Sequence, residues 1–493
     1  MKFISTRGND SVNNAGKAIV QGLADDGGLF VPETFPCVYE DLEKLLGLSY
    51  AETASYIIGK FLDDYNQTSL KEFCEKAYSR FEDNDPAPVV KLDDNFYIME
   101  LFHGPTLAFK DVALTLLPSL LRSGADAENI TDEILILVAT SGDTGKAALS
   151  GFQDQKGIKI MVFYPSEGVS DMQKLQMCSQ EGDNVNVVGI KGNFDDCQNA
   201  VKAIFSSIEA NKTLKDKGVV LSSANSINFG RLVPQITYYF SSYCDLVNSN
   251  QIKLGDKINF VVPTGNFGDI LAGYYAKRMG LPIEKLVCAS NSNNVLTEFF
   301  ANGSYDKNRE FFKTASPSMD ILISSNLERL VFELYDRDAS KTKEKMEELK
   351  TKGVYQISKE AFDKLEKDFF AGYADEDECF TTISNVFEVY GYVVDPHTAV
   401  AVKVFEEFNQ FTDNKYPTVV LSTASPYKFP QSILSAITGK NINDAFKASF
   451  ELEKETAAPI PEQILSLKNK EKRFNEVIDK ENAFDAVLKF INK

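Results

Sequence analysis

The run His103-Gly104-Pro105-Thr106-Leu107-Ala108-Phe109-Lys110-Asp111-Val112-Ala113-Leu114 places a lysine where water is scarce. Lys110 follows a Gly-Pro turn and is surrounded by Leu107, Ala108, Phe109, Val112 and Ala113. A lysine in such a run either snorkels its ammonium outward or is held dry for chemistry.

A second stretch, Pro263-Thr264-Gly265-Asn266-Phe267-Gly268-Asp269, joins the apolar run INFVV to DILAGYYAKRMG. In the latter, Ile270, Leu271, Tyr274 and Tyr275 share one helical face, and Gly280 and Pro282 end the pattern. A strand, a glycine turn and a helix start make an anion site, because unpaired N–H groups and the positive end of the helix dipole meet at the turn. The glycines let the main chain approach a ligand closely. Asp269 would repel a phosphate unless it faced the protein, so it is expected to order the turn's own N–H groups. A plain β–α turn also uses glycine, and no Walker lysine or GxGxxG pattern accompanies this one.

Three further stretches place small donors after apolar runs. In Ala139-Thr140-Ser141-Gly142-Asp143-Thr144-Gly145-Lys146, the hydroxyls of Ser141 and Thr144 suit a carboxylate, although helix capping by Asp143 or Thr144 uses the same residues. In Ser222-Ser223-Ala224-Asn225-Ser226-Ile227-Asn228-Phe229-Gly230-Arg231, Arg231 can grip an oxyanion bidentately or pair with a surface carboxylate. In Ser422-Thr423-Ala424-Ser425-Pro426-Tyr427-Lys428, Thr423 offers a hydroxyl at a strand end, or caps a loop. His103 and His397 lack a neighbouring nucleophile and are read as holding turns.

The elements that must position these groups alternate. ILILVA (134–139), IKIMVF (158–163), VNVVGI (185–190), INFVVP (258–263), LVCAS (286–290) and VVLSTAS (419–425) are short β-rich runs separated by helical stretches. That rhythm predicts an α/β fold with parallel strands and helical crossovers. Such sheets bind ligands beyond the carboxyl ends of their strands. Residues 1–95 form a mixed opening domain, 96–440 the α/β core, and 441–493 a helical tail. The Lys- and Glu-rich stretch at about 335–378 reads as a solvated helical insertion.

The 493 residues carry a formal charge of −19, which argues against nucleic acid and anionic membranes as partners. No apolar run approaches the roughly 18 residues of a membrane span, and the first twenty residues lack a signal-peptide core. Seven scattered cysteines without CxxC suggest reduced thiols and a cytoplasmic setting, and with two histidines they argue against a zinc site.

Taken in order, HGPTLAFKD, ATSGDTG, PTGNFGD and STASPYKF resemble the threonine synthase family. Ser5-Thr6-Arg7-Gly8 and Asp26-Gly27-Gly28-Leu29-Phe30-Val31-Pro32 are similar to its N-terminal domain, so the resemblance runs nearly end to end. It implies a pyridoxal-phosphate enzyme of the tryptophan synthase β type, fold type II. The expected reaction converts O-phospho-L-homoserine and water to L-threonine and phosphate, in a monomer or homodimer.

By the same resemblance, Lys110 carries the cofactor as a Schiff base, its amine kept reactive by burial. Gly265, Asn266, Phe267, Gly268 and Asp269 hold the cofactor phosphate, and Thr423 meets the pyridine nitrogen. Ser141, Asp143 and Thr144 receive the amino acid. Lys146, Asn225, Asn228 and Arg231 are expected at the substrate phosphate, with Lys428 and Arg7 as further cations. Ser425 stands where many relatives carry a histidine, and Tyr427 where they carry a small residue.

Overall fold

The computed structural model describes residues 1–140, 142–166 and 169–492, and all side chains among these but that of Asp195. Two open sheets carry the molecule. The larger has six strands in the order Phe369–Tyr373, Ile283–Ser290, Ile258–Pro263, Thr418–Ser422, Phe96–Glu100 and Val89–Asp93. The first five run parallel, and Val89–Asp93 returns antiparallel at the edge. The smaller sheet is parallel throughout: Val477–Ile478, Val185–Ile190, Ile158–Pro165, Glu133–Ala139 and Val219–Ser222.

Helices cover both sheets, which is why the central strands read as unbroken apolar runs rather than alternating ones. Every residue of Ile258–Pro263 is buried, and so is every residue of Thr418–Ser422. The helix Phe229–Asn248 is almost wholly buried. Its aromatic side chains pack against Phe3 and Phe61 of the opening segment and against Phe260 of the large sheet. This helix is the keel of the main core, and its few buried polar side chains include Arg231 and Gln235.

The opening segment holds a three-stranded antiparallel sheet, Ser11–Val12, Phe3–Ser5 and Phe30–Pro32. Residues 89–93 pair antiparallel with 96–100, so the chain enters the large sheet by a hairpin. The charged stretch 335–378 is mostly helix, Ala339–Thr351 and Lys359–Asp368, but it then supplies the edge strand Phe369–Tyr373. Its high charge reflects the exposed helix faces and hides the strand that follows. The tail likewise ends by adding Val477–Ile478 to the small sheet. All seven cysteines are free, six of them buried. No helix among the described residues is long and apolar enough to cross a membrane.

Candidate functional site

The carboxyl ends of Glu133–Ala139, Val219–Ser222, Ile258–Pro263 and Thr418–Ser422 open onto one cavity of about 370 Å³ between the two sheets. Lys110, Asp143, Thr144, Asn225, Arg231, Gly265 through Asp269 and Thr423 all line it. Five sequence stretches that are far apart in the chain therefore meet there, as the strand-end rule anticipates.

Lys110 reaches the cavity through a locked turn. Leu107 adopts φ +62°, and its N–H donates to the Gly104 carbonyl at 3.1 Å. The buried Asp111 carboxylate accepts from the Thr106 N–H at 2.7 Å and its hydroxyl at 2.6 Å. Ala108 bridges to Ala424, and the Phe109 N–H donates to the Thr423 carbonyl at 2.9 Å. The lysine stretch and the threonine stretch are thus one piece of backbone. Lys110 then starts the helix Lys110–Leu114, with its Nζ 4.6 Å from the Phe109 ring centre, 3.3 Å from Ser318 Oγ and 3.7 Å from Asp143 Oδ2. Burial pulls the amine below the ordinary lysine range; Asp143 resists this, while Lys428 and Arg231 add to it.

The glycine turn has the geometry of an anion cradle. Phe267 sits at φ +64° and precedes the helix Gly268–Arg278 with no side-chain cap, leaving the helix N-terminus to an external acceptor. A Cβ on Gly265 would lie 2.5 Å from the Ser318 carbonyl oxygen, so only glycine fits. The turn's carbonyls face away: Gly265 O accepts from Ser324 Oγ at 2.7 Å, and Asn266 O from the Asn326 N–H at 3.1 Å. Asp269 does not order the turn, contrary to the expectation from sequence. Its Oδ1 accepts from the hydroxyls of Tyr238 at 2.5 Å and Tyr239 at 3.0 Å, on the helix Phe229–Asn248, and its Oδ2 is buried without a partner among the described residues. Burial raises this carboxyl to about 6, although the two tyrosines and Lys110 oppose it.

Of the Ser-Gly-Asp-Thr-Gly stretch, Ser141 lies outside the described residues. The helix start is capped by Thr140, whose Oγ1 accepts from the N–H groups of Gly142 and Gly145 at 3.0 Å each. That leaves Asp143 free for other work. Its Oδ1 takes the Lys428 ammonium and the Gln173 amide, each at 2.8 Å. Burial alone would raise this carboxyl, but Lys428 and then Lys110 hold it well below the usual range.

The expected cations separate. Arg231 lines the cavity, fully buried; its Nη1 donates to the Ala224 carbonyl at 2.6 Å, and its Nε has no partner among the described residues. Burial lowers the guanidinium to about 10, so it stays charged at neutral pH. Lys146, three residues on from Asp143 in the same helix, is drawn away from the cavity wall by Gln180, donating to its Oε1 at 2.5 Å. Asn228 is a structural cap: it accepts from the Gly230 N–H and donates to the carbonyls of Ile19 and Ser223. Arg7 is clamped by Glu328, and Lys428 by Asp143 and the Thr106 carbonyl. None of Lys146, Asn228, Arg7 and Lys428 borders the cavity. Ser425 is buried and caps Tyr427.

Several lining residues carry no local motif. His397 borders the cavity and accepts the Ser318 N–H at its Nε2, while its Nδ1 meets Asp395 Oδ2 at 2.5 Å. His397 does hold a turn, but the turn is part of the cavity wall, and its partner lies 79 positions away. Gln235, one turn beyond Arg231, and Lys202 also line the space. Behind the wall, buried Arg329 donates to the carbonyls of Phe30 and Ile227 and bonds Asn326, whose amide reaches Ser226 O and Asn266 O. One guanidinium thereby ties the opening segment, the Arg231 loop and the glycine turn together. Only the Arg231-to-Gln235 spacing of four would have been legible as a shared helical face.

Comparison with known proteins agrees with this geometry. The family model for the threonine synthase N terminus matches residues 2–78, that for pyridoxal-phosphate dependent enzymes 83–424, and that for the threonine synthase C-terminal domain 398–491. Threonine synthase-like 1 of Homo sapiens is 41% identical over 88% of this chain, which spans 60% of that relative's length. Threonine synthase of Saccharomyces cerevisiae is 38% identical, over 96% of this chain and 94% of its own. The crystal structure of PLP-bound threonine synthase from Brucella melitensis superposes with a TM-score of 0.88 at 37% identity, covering 99% of each chain.

Proposed function

Because the chain belongs to the threonine synthase family of pyridoxal-phosphate enzymes, we propose that it converts O-phospho-L-homoserine and water to L-threonine and phosphate. The observation that carries this reading is the buried, incompletely paired guanidinium of Arg231 in the same cavity as Lys110 and the Gly265–Gly268 cradle. Any pyridoxal-phosphate enzyme acting on an amino acid must seat the cofactor phosphate and the substrate α-carboxylate; a further buried cation, apart from the glycine turn and from the helix start at Asp143, suits a substrate phosphate.

The cavity fits the cofactor. It presents one amine with lowered proton affinity, an uncapped helix N-terminus beside a glycine that tolerates no Cβ, and a Thr423 hydroxyl on the adjoining strand end. When bound, pyridoxal phosphate supplies an electron sink for carbanions next to the amino-bearing carbon. In this proposal Gly265, Asn266, Phe267 and Gly268 hold its phosphate through backbone N–H groups. Thr423 offers a hydroxyl, rather than a carboxylate, to its ring nitrogen.

Lys110 removes the proton from Cα of the substrate and holds it on Nζ. Arg231, with Asn225 beside it, binds the phosphate that leaves Cγ; a fixed cation there holds the phosphorylated substrate and offsets the charge that grows as the phosphate departs. Thr144 and the helix start behind it receive the α-carboxylate. A second proton leaves Cβ as the Cγ–O bond breaks, Cγ is then protonated, water adds its hydroxyl at Cβ, and Cα regains a proton from Lys110 Nζ as threonine is released. We place the domain limits at 1–95, 96–440 and 441–493, the compartment in the cytoplasm, and the assembly at monomer or homodimer.

The test compares phosphate release from O-phospho-L-homoserine with ammonia release from serine and threonine. Threonine and phosphate should appear in equal amounts. Ammonia release without phosphate turnover would overturn the reading in favour of a dehydratase.

A further inference from the structure

Asp143 and Lys428 form an ion pair at 2.8 Å whose side chains are 1% and 0% exposed. Taking two charges out of water generally costs about as much as their attraction returns, so stability alone is a poor reason for such a pair. Its surroundings suggest another. Asp143 turns one oxygen to Lys428 and Gln173 and the other to Lys110 Nζ at 3.7 Å and Ser318 Oγ at 3.5 Å. Lys428 does not border the cavity. Its other hydrogen bond among the described residues goes to the Thr106 carbonyl, 2.7 Å away, in the turn that delivers Lys110. A cation sealed behind the wall cannot bind substrate, but its field acts on Lys110 through and alongside Asp143.

The other charged groups acting on Lys110 are Arg231 and Asp269. His397 meets it only by way of Ser318. An uncompensated carboxylate at this distance would lock Lys110 as an ammonium, unable to take a proton or attack a carbonyl. With no carboxylate there, the ammonium formed after Cα deprotonation would lack its nearest counter-charge. The pair avoids both extremes.

We propose that Asp143 and Lys428 are a charge-balanced positioning pair that sets how readily the Lys110 nitrogen holds a proton, Asp143 favouring the protonated form and Lys428 opposing it. This rests on Lys110 being the cofactor-bearing amine.

The experiment titrates the visible absorbance of the holoenzyme against pH in wild type, K428M, K428Q, D143N and D143N/K428M. Alongside, it maps the pH dependence of Lys110 labelling by formaldehyde and borohydride in the full chain stripped of cofactor. K428M and K428Q should raise both midpoints by about one pH unit, D143N should lower them by a similar amount, and the double variant should return towards wild type. A purely structural role would lower the melting temperature and leave the midpoints in place. Unmoved midpoints, or K428M and D143N shifting them in the same direction, overturn the pair while leaving Lys110 as the cofactor lysine. Absence of any label on Lys110 in wild type overturns both.

Discussion

The Ser318 backbone N–H donates to Nε2 of His397 at 3.1 Å, and the Ser318 hydroxyl lies 3.3 Å from Lys110 Nζ. Because Nε2 accepts, Nδ1 carries the ring proton and donates it to buried Asp395. His397 thus fixes a segment on whose position the Lys110 amine depends. Replacing His397 by Ala should lower kcat roughly tenfold, equivalent to about 1.4 kcal/mol of barrier, with KM little changed. Gln, which can keep an acceptor near the Ser318 N–H, should recover part of the loss. Steady-state kinetics of the two variants checks this.

Lys110→Ala should abolish threonine formation, a fall of at least about 10³-fold if the amine is both cofactor anchor and proton carrier. Borohydride reduction of the wild-type holoenzyme followed by peptide mapping should place the label on the peptide containing Lys110. A label elsewhere contradicts the assignment.

Arg231→Met should weaken the phosphorylated substrate by about 2–4 kcal/mol, the scale for removing one partner of a buried charge-assisted contact. Cofactor affinity should stay near wild type, since the glycine turn is a separate cradle. Arg231→Lys keeps the charge but loses the planar fork, and should fall between the two. Substrate KM and cofactor Kd, measured separately, discriminate the two sites.

Gly265→Ala puts a methyl 2.5 Å from the Ser318 carbonyl oxygen, which is backbone and cannot swing aside. The turn or the Pro317–Met319 segment must move. Overpacking of this kind costs about 1–3 kcal/mol. Cofactor affinity, read by fluorescence, and melting temperature should both fall.

Burial holds the Asp269 carboxyl near 6, against an ordinary value of 3.8. A folded-state value above the unfolded one means the folded chain binds the extra proton. Its contribution is therefore fully present below about pH 4 and is lost as pH rises through 6. A shift of this size corresponds to roughly 3 kcal/mol at 1.36 kcal/mol per unit. Asp269→Asn, which is neutral throughout, should remove that slope: the stability of the variant relative to wild type should rise between pH 4 and 6. Chemical denaturation of the cofactor-free full chain at several pH values measures it.

Much of the site was legible because short motifs carry their own backbone physics. The glycines of PTGNFGD, following a buried strand, demand a bare turn at a helix start, and the structure has one, with Phe267 left-handed ahead of Gly268–Arg278. Lys110 in an apolar run implied a shielded amine, and its side chain is 11% exposed at the cavity wall. The alternating runs announced parallel strands whose ends converge on ligands. What sequence could not supply is direction. Asn228 and Arg231 stand three residues apart, yet one caps a helix and the other faces the cavity. Lys146 and Asp143 share a helix and a spacing of three, yet only Asp143 lines the cavity, while Lys146 turns to Gln180.

The chain alone determined which local pieces could exist: a glycine turn open to anions, a lysine without water, strands that must be covered on both faces. These follow from steric and solvation rules acting within a few residues. Only tertiary structure decided which pieces meet. Asp143 and Lys428 are separated by most of the core yet touch, and Ser318 and His397 do the same from different elements. The physical reason is that a buried charge or ring nitrogen takes whichever partner the packing of two sheets brings within hydrogen-bond range, and that choice is made by contacts with no counterpart in neighbouring sequence.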